Sequence, residues 1–145
     1  MLPEPLIIIA KRESMKKVIY TWARFDEDSA KIAKWAKDKN FKSVYGIPRG
    51  GLVLATKLSH LLDIPLILAK DDITRDTLIV DDIVDTSATI KLFLALHGNK
   101  LQIATIFLNN MSGFKPNFFA REKEHWVIFP WETEETSRYD QTAPV

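Results

Sequence analysis

The chain has 145 residues, with 20 Lys and Arg against 19 Asp and Glu, so its net charge at neutral pH is close to zero. Hydrophobic residues make up 46% of the chain and charged residues 27%, which is typical of a single globular domain. The balanced charge gives no indication of nucleic-acid binding, no apolar run is long enough to cross a membrane, and the absence of cysteine excludes disulfides, thiolate zinc sites and cysteine nucleophiles.

Strand-like and helix-like apolar patterns alternate along most of the chain. The predicted strands cover residues 18–22, 43–47, 65–69, 78–82 and 101–107, and the last apolar run covers 126–129. The predicted helices run from Asp26 or Asp28 to about residue 39, from 52 to 62, and from 89 to 97. This alternation predicts an α/β fold, a mostly parallel twisted sheet flanked by helices.

We expect one domain over residues 1–145, in which 1–14 form an extension and the polar residues 133–145 form a mobile tail.

The loop between residues 46 and 51 follows a predicted strand and precedes a predicted helix. Its sequence is Gly-Ile-Pro-Arg-Gly-Gly. Glycines allow the backbone to approach an anion closely, and Arg49 can offer paired donors to pyrophosphate oxygens. The alternative is an ordinary strand-to-helix turn.

The most informative segment follows the strand predicted at 78–82. Two adjacent carboxylates, Asp81 and Asp82, end this strand, and a third, Asp85, comes three residues later. Small and hydroxyl residues follow directly: Thr86, Ser87, Ala88 and Thr89. Open α/β sheets bind ligands at the carboxyl ends of their strands, and helix N-termini bind phosphate, so the segment predicts a phosphorylated sugar ligand. The alternative is a buried strand that ends in a solvated acidic turn.

Four features in a fixed order resemble the type I phosphoribosyltransferases, and within them the hypoxanthine, guanine and xanthine branch. They are the loop at 46–51, the acidic segment at 81–89, the strand residues 105–107 and the run Trp-Val-Ile-Phe-Pro-Trp-Glu at 126–132. The resemblance covers residues 18–132. It implies a small hood formed by the N-terminal and C-terminal segments.

The resemblance also implies an activity, which is transfer of phosphoribose from phosphoribosyl pyrophosphate to guanine, xanthine or hypoxanthine with release of pyrophosphate. Mg²⁺ is the implied cofactor, purine salvage is the implied process, and a homo-oligomer is the implied assembly. A cytoplasmic location is expected from the lack of cysteine and of a membrane-spanning run. Neither a nucleic acid nor a membrane is an expected partner. A non-catalytic regulator that binds phosphoribosyl pyrophosphate or a nucleotide is the alternative function.

Site residues follow from the same resemblance. Those implied to bind phosphoribosyl pyrophosphate are Arg49, Gly50, Asp81, Asp82, Asp85, Thr86, Ser87, Ala88 and Thr89. Asp81, Asp82 and, through water, Glu132 are the implied magnesium ligands. A cis peptide is implied between Pro48 and Arg49.

The base pocket is implied to contain four residues. Trp126 would stack on the base, Ile83 would pack on its opposite face, the backbone of Val127 would bond its edge, and Asn109 would lie near its exocyclic group. Asp85 is the implied catalytic acid or base, and its alternative role is that of a helix N-cap or first-turn acid.

Besides the extension at 1–14, three features depart from the family pattern. Asn109 stands where purine members usually have a lysine, so the preferred base stays open, adenine included. The connection at 70–77 has eight residues where the family has a long closing loop, so slow turnover, a lid from a partner, and loss of catalysis stay open. Ser87 stands where glycine is usual, and we expect phosphate binding to survive this change.

Overall fold

The computed structural model describes residues 16–85, 87–98 and 100–137. In chain order its strands and helices are β1 (Lys17–Ile19), α1 (Trp22–Ala36), β2 (Ser43–Gly46), α2 (Gly50–Leu62), β3 (Leu66–Ile67), β4 (Thr77–Ile83), α3 (Ala88–Leu96), β5 (Gln102–Leu108), β6 (Phe118–Glu122) and β7 (Trp126–Ile128). Single 3₁₀ turns occur at Lys37–Lys39 and Lys70–Asp72.

The main sheet has five parallel strands in the order β3-β2-β4-β5-β6. β4 lies at its centre, and every residue of this strand is buried, as expected of a parallel strand covered on both faces. The order of the strands reverses between β2 and β4, and such a reversal opens a crevice at the carboxyl ends of the two strands. The predicted fold class is confirmed.

Helices cover both faces of this sheet. Leu78 and Val80 belong to an apolar cluster with Ile32 of α1 and Leu54 of α2. Ile79 belongs to a second cluster, with Ile90 and Phe93 of α3. Because side chains alternate along a strand, the two clusters lie on opposite faces of the sheet.

A two-stranded parallel sheet of β1 and β7 joins the two ends of the described chain and forms the hood. Residues 133–136 form a hydrogen-bonded turn, and Ser137 is buried, so this part of the predicted tail packs on the domain. The predicted extension at 1–14 and the tail from residue 138 lie outside the described residues.

The largest differences from the sequence prediction lie at the N-terminal end of the chain and at β6. The strand predicted at 18–22 is β1 and ends at Ile19, because Trp22 already belongs to α1. α1 begins at Trp22, because the side chain of Thr21 accepts a hydrogen bond from the backbone N–H of Arg24 at 3.2 Å and caps the helix earlier than Asp26. β6 was not predicted at all. It is an edge strand of half-exposed residues, so it lacks the buried-and-exposed alternation that marks most strands in a sequence.

A buried polar network ties β1, α1 and β6 together. Asp28 is fully buried in α1, and its Oδ2 accepts hydrogen bonds from the Tyr20 hydroxyl and, at 2.7 Å, from Arg121 Nε. Burial and then the hydrogen bond to Asp28 raise the pKa of Tyr20 far above its ordinary value. The network therefore holds Tyr20 protonated as a donor.

Candidate functional site

The loop after β2 places backbone groups and Arg49 at the carboxyl end of the strand, where the crevice between β2 and β4 opens. The peptide between Pro48 and Arg49 is cis, which confirms the expectation from the resemblance. Arg49 precedes the first residue of α2, and its side chain is exposed. The loop thus ends at a helix N-terminus, which favours an anion.

Gly50 lies against the end of β4 at a distance that only glycine allows. A Cβ atom at this position would lie 1.9 Å from Asp82 Oδ2. Asp82 is itself buried, and its Oδ1 accepts the backbone N–H of Ile83 at 2.7 Å, so the carboxylate has little room to move aside. Asp82 can occupy this position only because Gly50 has no side chain.

Changing Gly50 to alanine should destabilise the protein, because the added methyl group and the Asp82 carboxylate cannot occupy the same space. We expect a loss of about 1–3 kcal/mol in the free energy of unfolding, measured by urea denaturation. Thr56→Ala on the exposed side of α2 is the control and should change it by no more than about 0.5 kcal/mol. Equal stability of the two variants would contradict the close contact.

Asp81 and Asp82 end β4 side by side in a buried setting, with 3% and 2% of their surface exposed. Asp81 Oδ1 accepts the backbone N–H of Asp82 at 2.8 Å. Burial, followed by the neighbouring charge of Asp82, holds the pKa of Asp81 well above its usual range. Two buried carboxylates in contact favour a proton or a cation nearby.

The Asp85 carboxylate accepts hydrogen bonds from two side chains, one directly after β5 and one directly after β6. Its Oδ1 accepts hydrogen bonds from Lys123 Nζ and from Asn109 Nδ2, both at 3.1 Å. α3 begins only at Ala88, with Ser87 at its N-cap, so the alternative role of Asp85 as the N-cap is wrong. Burial raises the pKa of Asp85, and the charge and hydrogen bond of Lys123 oppose this rise.

The predicted phosphate segment leads into α3. Ser87 has φ −88°, so the glycine usual at this position in the family is not needed for the backbone conformation found here. Ala88 is the exposed first residue of the helix. Thr86 and the side chain of Thr89 lie outside the described residues, so their predicted phosphate contacts stay predictions.

Three of the four residues predicted for the base pocket line one cleft together with acids predicted to bind the sugar phosphate, and Asn109 is not among the described residues that line it. The cleft is lined by Ile83, Trp126 and Val127, and also by Asp82, Asp85 and Glu132. Trp126 is 5% exposed, and its Nε1 donates to Ser137 Oγ at 2.9 Å, which fixes the orientation of the indole. Asp81 is not among the described residues that line the cleft.

Lys123 is a site residue that the sequence prediction missed. Its backbone N–H donates to Leu108 O at 2.8 Å, which extends the pairing of β6 with β5 by one residue. Its Nζ lies 4.7 Å from the centre of the Trp126 ring, in addition to its contact with Asp85. A lysine directly after a strand beside β5 would have been the signal, but β6 itself was not recognised.

Glu132 also lines the cleft, four residues after the end of β7. Its Oε1 accepts the backbone N–H of Phe129 at 2.9 Å. Burial raises the pKa of Glu132 to about 7, the Phe129 hydrogen bond opposes this rise, and the Asp82 charge adds to it. Glu132 therefore changes its charge near neutral pH.

This pKa predicts how stability depends on pH. Between the ordinary pKa of 4.5 and about 7 the folded protein holds a proton that the unfolded chain has lost, so stability falls as pH rises through about 7. Glu132→Gln removes the titration and keeps the acceptor. Its stability relative to the wild type should rise by about 1–2 kcal/mol from about pH 5 to about pH 8 in metal-free buffer, because partial exposure screens the full effect.

Urea unfolding at a series of pH values measures this difference. Glu124→Gln on the exposed surface is the matched control. A difference between Glu132→Gln and the wild type that does not change with pH would contradict the elevated pKa.

Carboxylate oxygens suit a hard cation, but this site does not enclose one. Within residues 16–85, 87–98 and 100–137, no group of three His, Cys, Asp or Glu residues is arranged to hold a metal ion. Mg²⁺ usually keeps several waters and binds through one or two carboxylates and substrate phosphates. Asp82 and Glu132, on the same cleft, match that donor chemistry.

The described part of the chain contains no helix long and apolar enough to span a membrane.

Comparison with known proteins gives relatives in both sequence and fold. No protein-family model matches the chain. The xanthine-guanine phosphoribosyltransferase of Desulfotalea psychrophila is 29% identical over 137 residues, which cover 79% of this chain and 85% of that protein. The crystal structure of the purine phosphoribosyltransferase from Pyrococcus horikoshii is 28% identical, with a TM-score of 0.72 over 82% of this chain and 96% of that one.

A third comparison supports the fold. The Helicobacter pylori xanthine-guanine-hypoxanthine phosphoribosyltransferase has a TM-score of 0.70 and 21% identity, covering 83% of this chain and 96% of that one. Sequence and fold thus relate this chain to the purine phosphoribosyltransferases, and the resemblance to the purine branch of the type I family is confirmed.

Proposed function

We propose that this protein transfers the phosphoribosyl group of phosphoribosyl pyrophosphate to a ring nitrogen of a 6-oxopurine and releases pyrophosphate. The observation that carries the proposal is a cleft that joins Asp82 and Asp85, at and after the end of β4, to Trp126 and Val127 of the hood. One side offers polar groups for a sugar phosphate, and the other offers an aromatic face for a base.

The chain's own residues have distinct tasks in this proposal. The loop at Arg49 binds the pyrophosphate end of the substrate, and the backbone at Ser87 and Ala88 binds the 5′-phosphate. Trp126 stacks on the base, and Asp85 takes or gives the proton of the base nitrogen. Holding two substrates in line supplies a large share of the rate.

Magnesium fits the acids of the cleft as described above, and Asp82 and Glu132 are the residues that would hold it through water. When bound, the ion neutralises charge on the departing pyrophosphate. Homo-oligomeric assembly and a cytoplasmic location stay predictions.

A direct assay tests the proposal. Purified protein is mixed with phosphoribosyl pyrophosphate, magnesium and, in separate reactions, guanine, xanthine, hypoxanthine or adenine, and pyrophosphate release is followed. Release that depends on a 6-oxopurine supports the proposal. No turnover with any purine, in protein that is stabilised by phosphoribosyl pyrophosphate in a thermal shift, would contradict it.

That last result would favour the second candidate function, a non-catalytic regulator that binds phosphoribosyl pyrophosphate or a nucleotide. The connection before β4 supports this candidate. It forms a 3₁₀ turn at Lys70–Asp72 and a second turn in which Thr77 N donates to Thr74 O, so this short connection is folded into two turns. The assay separates the two functions by turnover.

A further inference from the structure

We propose that Ser137 is a positioning residue for the base, because its hydroxyl holds the two groups of the hood that are proposed to contact the base. Its Oγ accepts the indole N–H of Trp126 at 2.9 Å and donates to the backbone oxygen of Val127 at 3.3 Å. All three residues line the cleft. The resemblance to the family covers residues 18–132, so it assigns Ser137 no role. The inference rests on the proposed function and adds a residue that prepares its base pocket.

A short turn beyond β7 sets the position of Ser137. The backbone N–H of Ser137 donates to Thr133 O at 3.0 Å, and Thr136 Oγ1 accepts the backbone N–H of Thr133 at 2.8 Å. An ion pair of Glu134 with Lys17 ties the turn to β1, the other strand of the hood. Ser137 is 2% exposed, so its hydroxyl is fixed in the wall of the cleft.

The pairing of β7 with β1 directs the backbone of Val127 away from β1. Trp126 N donates to the carbonyl directly before β1 at 3.0 Å, and Ile128 O accepts from the backbone N–H directly after β1 at 2.9 Å. Because alternate residues of a strand bond to the same neighbour, the N–H and C=O of Val127 point to the opposite edge of β7. The Ser137 hydroxyl meets the carbonyl at that edge, where the backbone of Val127 is proposed to bond the base.

The chemistry of a hydroxyl suits both contacts at once. Serine carries one O–H donor and two acceptor sites, so it can accept the indole N–H while it donates to the carbonyl. The first bond fixes the ring that stacks on the base, and the second fixes the peptide that bonds the edge of the base. Without the hydroxyl, the ring and the peptide must be ordered when the base binds, and such ordering costs affinity.

Binding of ligands with and without a base tests this role. Guanosine monophosphate and ribose 5-phosphate are titrated into each protein in calorimetry. Magnesium is omitted, because Ser137 also contacts Glu132, a proposed magnesium ligand. Ser137→Ala should weaken guanosine monophosphate by about 5–10-fold and leave ribose 5-phosphate within about twofold of the wild type. Glu135→Gln, at an exposed acid of the same turn, is the control and should match the wild type for both ligands.

A second variant and a spectroscopic signal separate hydrogen bonding from packing. Ser137→Cys keeps nearly the same volume, but its thiol is a weak donor and a weak acceptor, so it should lose as much affinity as Ser137→Ala. The NMR signal of the Trp126 indole N–H, assigned by its loss in Trp126→Phe, should shift in both variants. The signal of Trp35, whose indole stacks on Phe118, should stay in place.

Each outcome decides the proposal. Equal binding of guanosine monophosphate by Ser137→Ala and the wild type, or an equal loss of both ligands, overturns the positioning role. Wild-type affinity in Ser137→Cys overturns it as well, because packing alone would then suffice, and so does a Trp126 indole signal that does not shift. All of these results leave the proposed function standing. Wild-type protein that does not bind guanosine monophosphate contradicts the proposed function itself.

Discussion

Asp85→Asn is expected to lower kcat for purine phosphoribosyl transfer by about 10²–10⁴-fold, the usual contribution of a positioned acid or base. An amide has the shape of the carboxylate and still accepts the hydrogen bonds of Lys123 and Asn109 through its oxygen. It cannot take up the proton of the base nitrogen. The change therefore removes the proposed chemistry and keeps the contacts that hold the side chain.

The stability of the same variant separates chemistry from folding. Burial raises the pKa of Asp85, which means that the folded protein holds the charged form at a cost, so the neutral amide should leave the free energy of unfolding level or raise it. Asp38→Asn, at an exposed acid, is the control for both measurements. Asp85→Asn with kcat within about threefold of the wild type would contradict a catalytic role, because such a factor is far below that of general acid–base catalysis.

The centre of the fold and one half of the cleft were predictable from local sequence signals. β4 is a continuous apolar run that ends in acids, and such a run is typical of a buried parallel strand. Once parallel strands are assumed, their carboxyl ends meet at one edge, which brings Asp82 near the loop of Gly50 without any knowledge of side-chain contacts.

The remaining part of the cleft, and the polar network around Asp28, depend on contacts between residues far apart in the chain. Lys123 and Asp85 are 38 positions apart, and Arg121 and Asp28 are 93 apart. No periodic pattern encodes such pairs, and both lysine and arginine read as ordinary surface charges in sequence. Asp28 was considered as a helix cap because acids favour that position, whereas the structure uses it as the buried acceptor of Tyr20.

Arg121→Met is expected to lower the free energy of unfolding by about 3 kcal/mol, because it leaves the carboxylate of Asp28 buried without its charged partner. Asp28 has no exposed surface, and Arg121 Nε donates to it at 2.7 Å. The loss should fall at the low end of the usual range for broken buried pairs, since the Tyr20 hydroxyl still donates and Lys31 Nζ lies 3.6 Å from the other carboxylate oxygen.

Urea denaturation of three variants identifies the cause of this loss. Lys57→Met breaks the exposed pair with Asp26, at 3.4 Å, and should cost at most about 1 kcal/mol. The double change Arg121→Met with Asp28→Asn should recover part of the loss, because an amide buried beside Tyr20 carries no charge. A single Arg121→Met that is as stable as Lys57→Met would refute the buried pair.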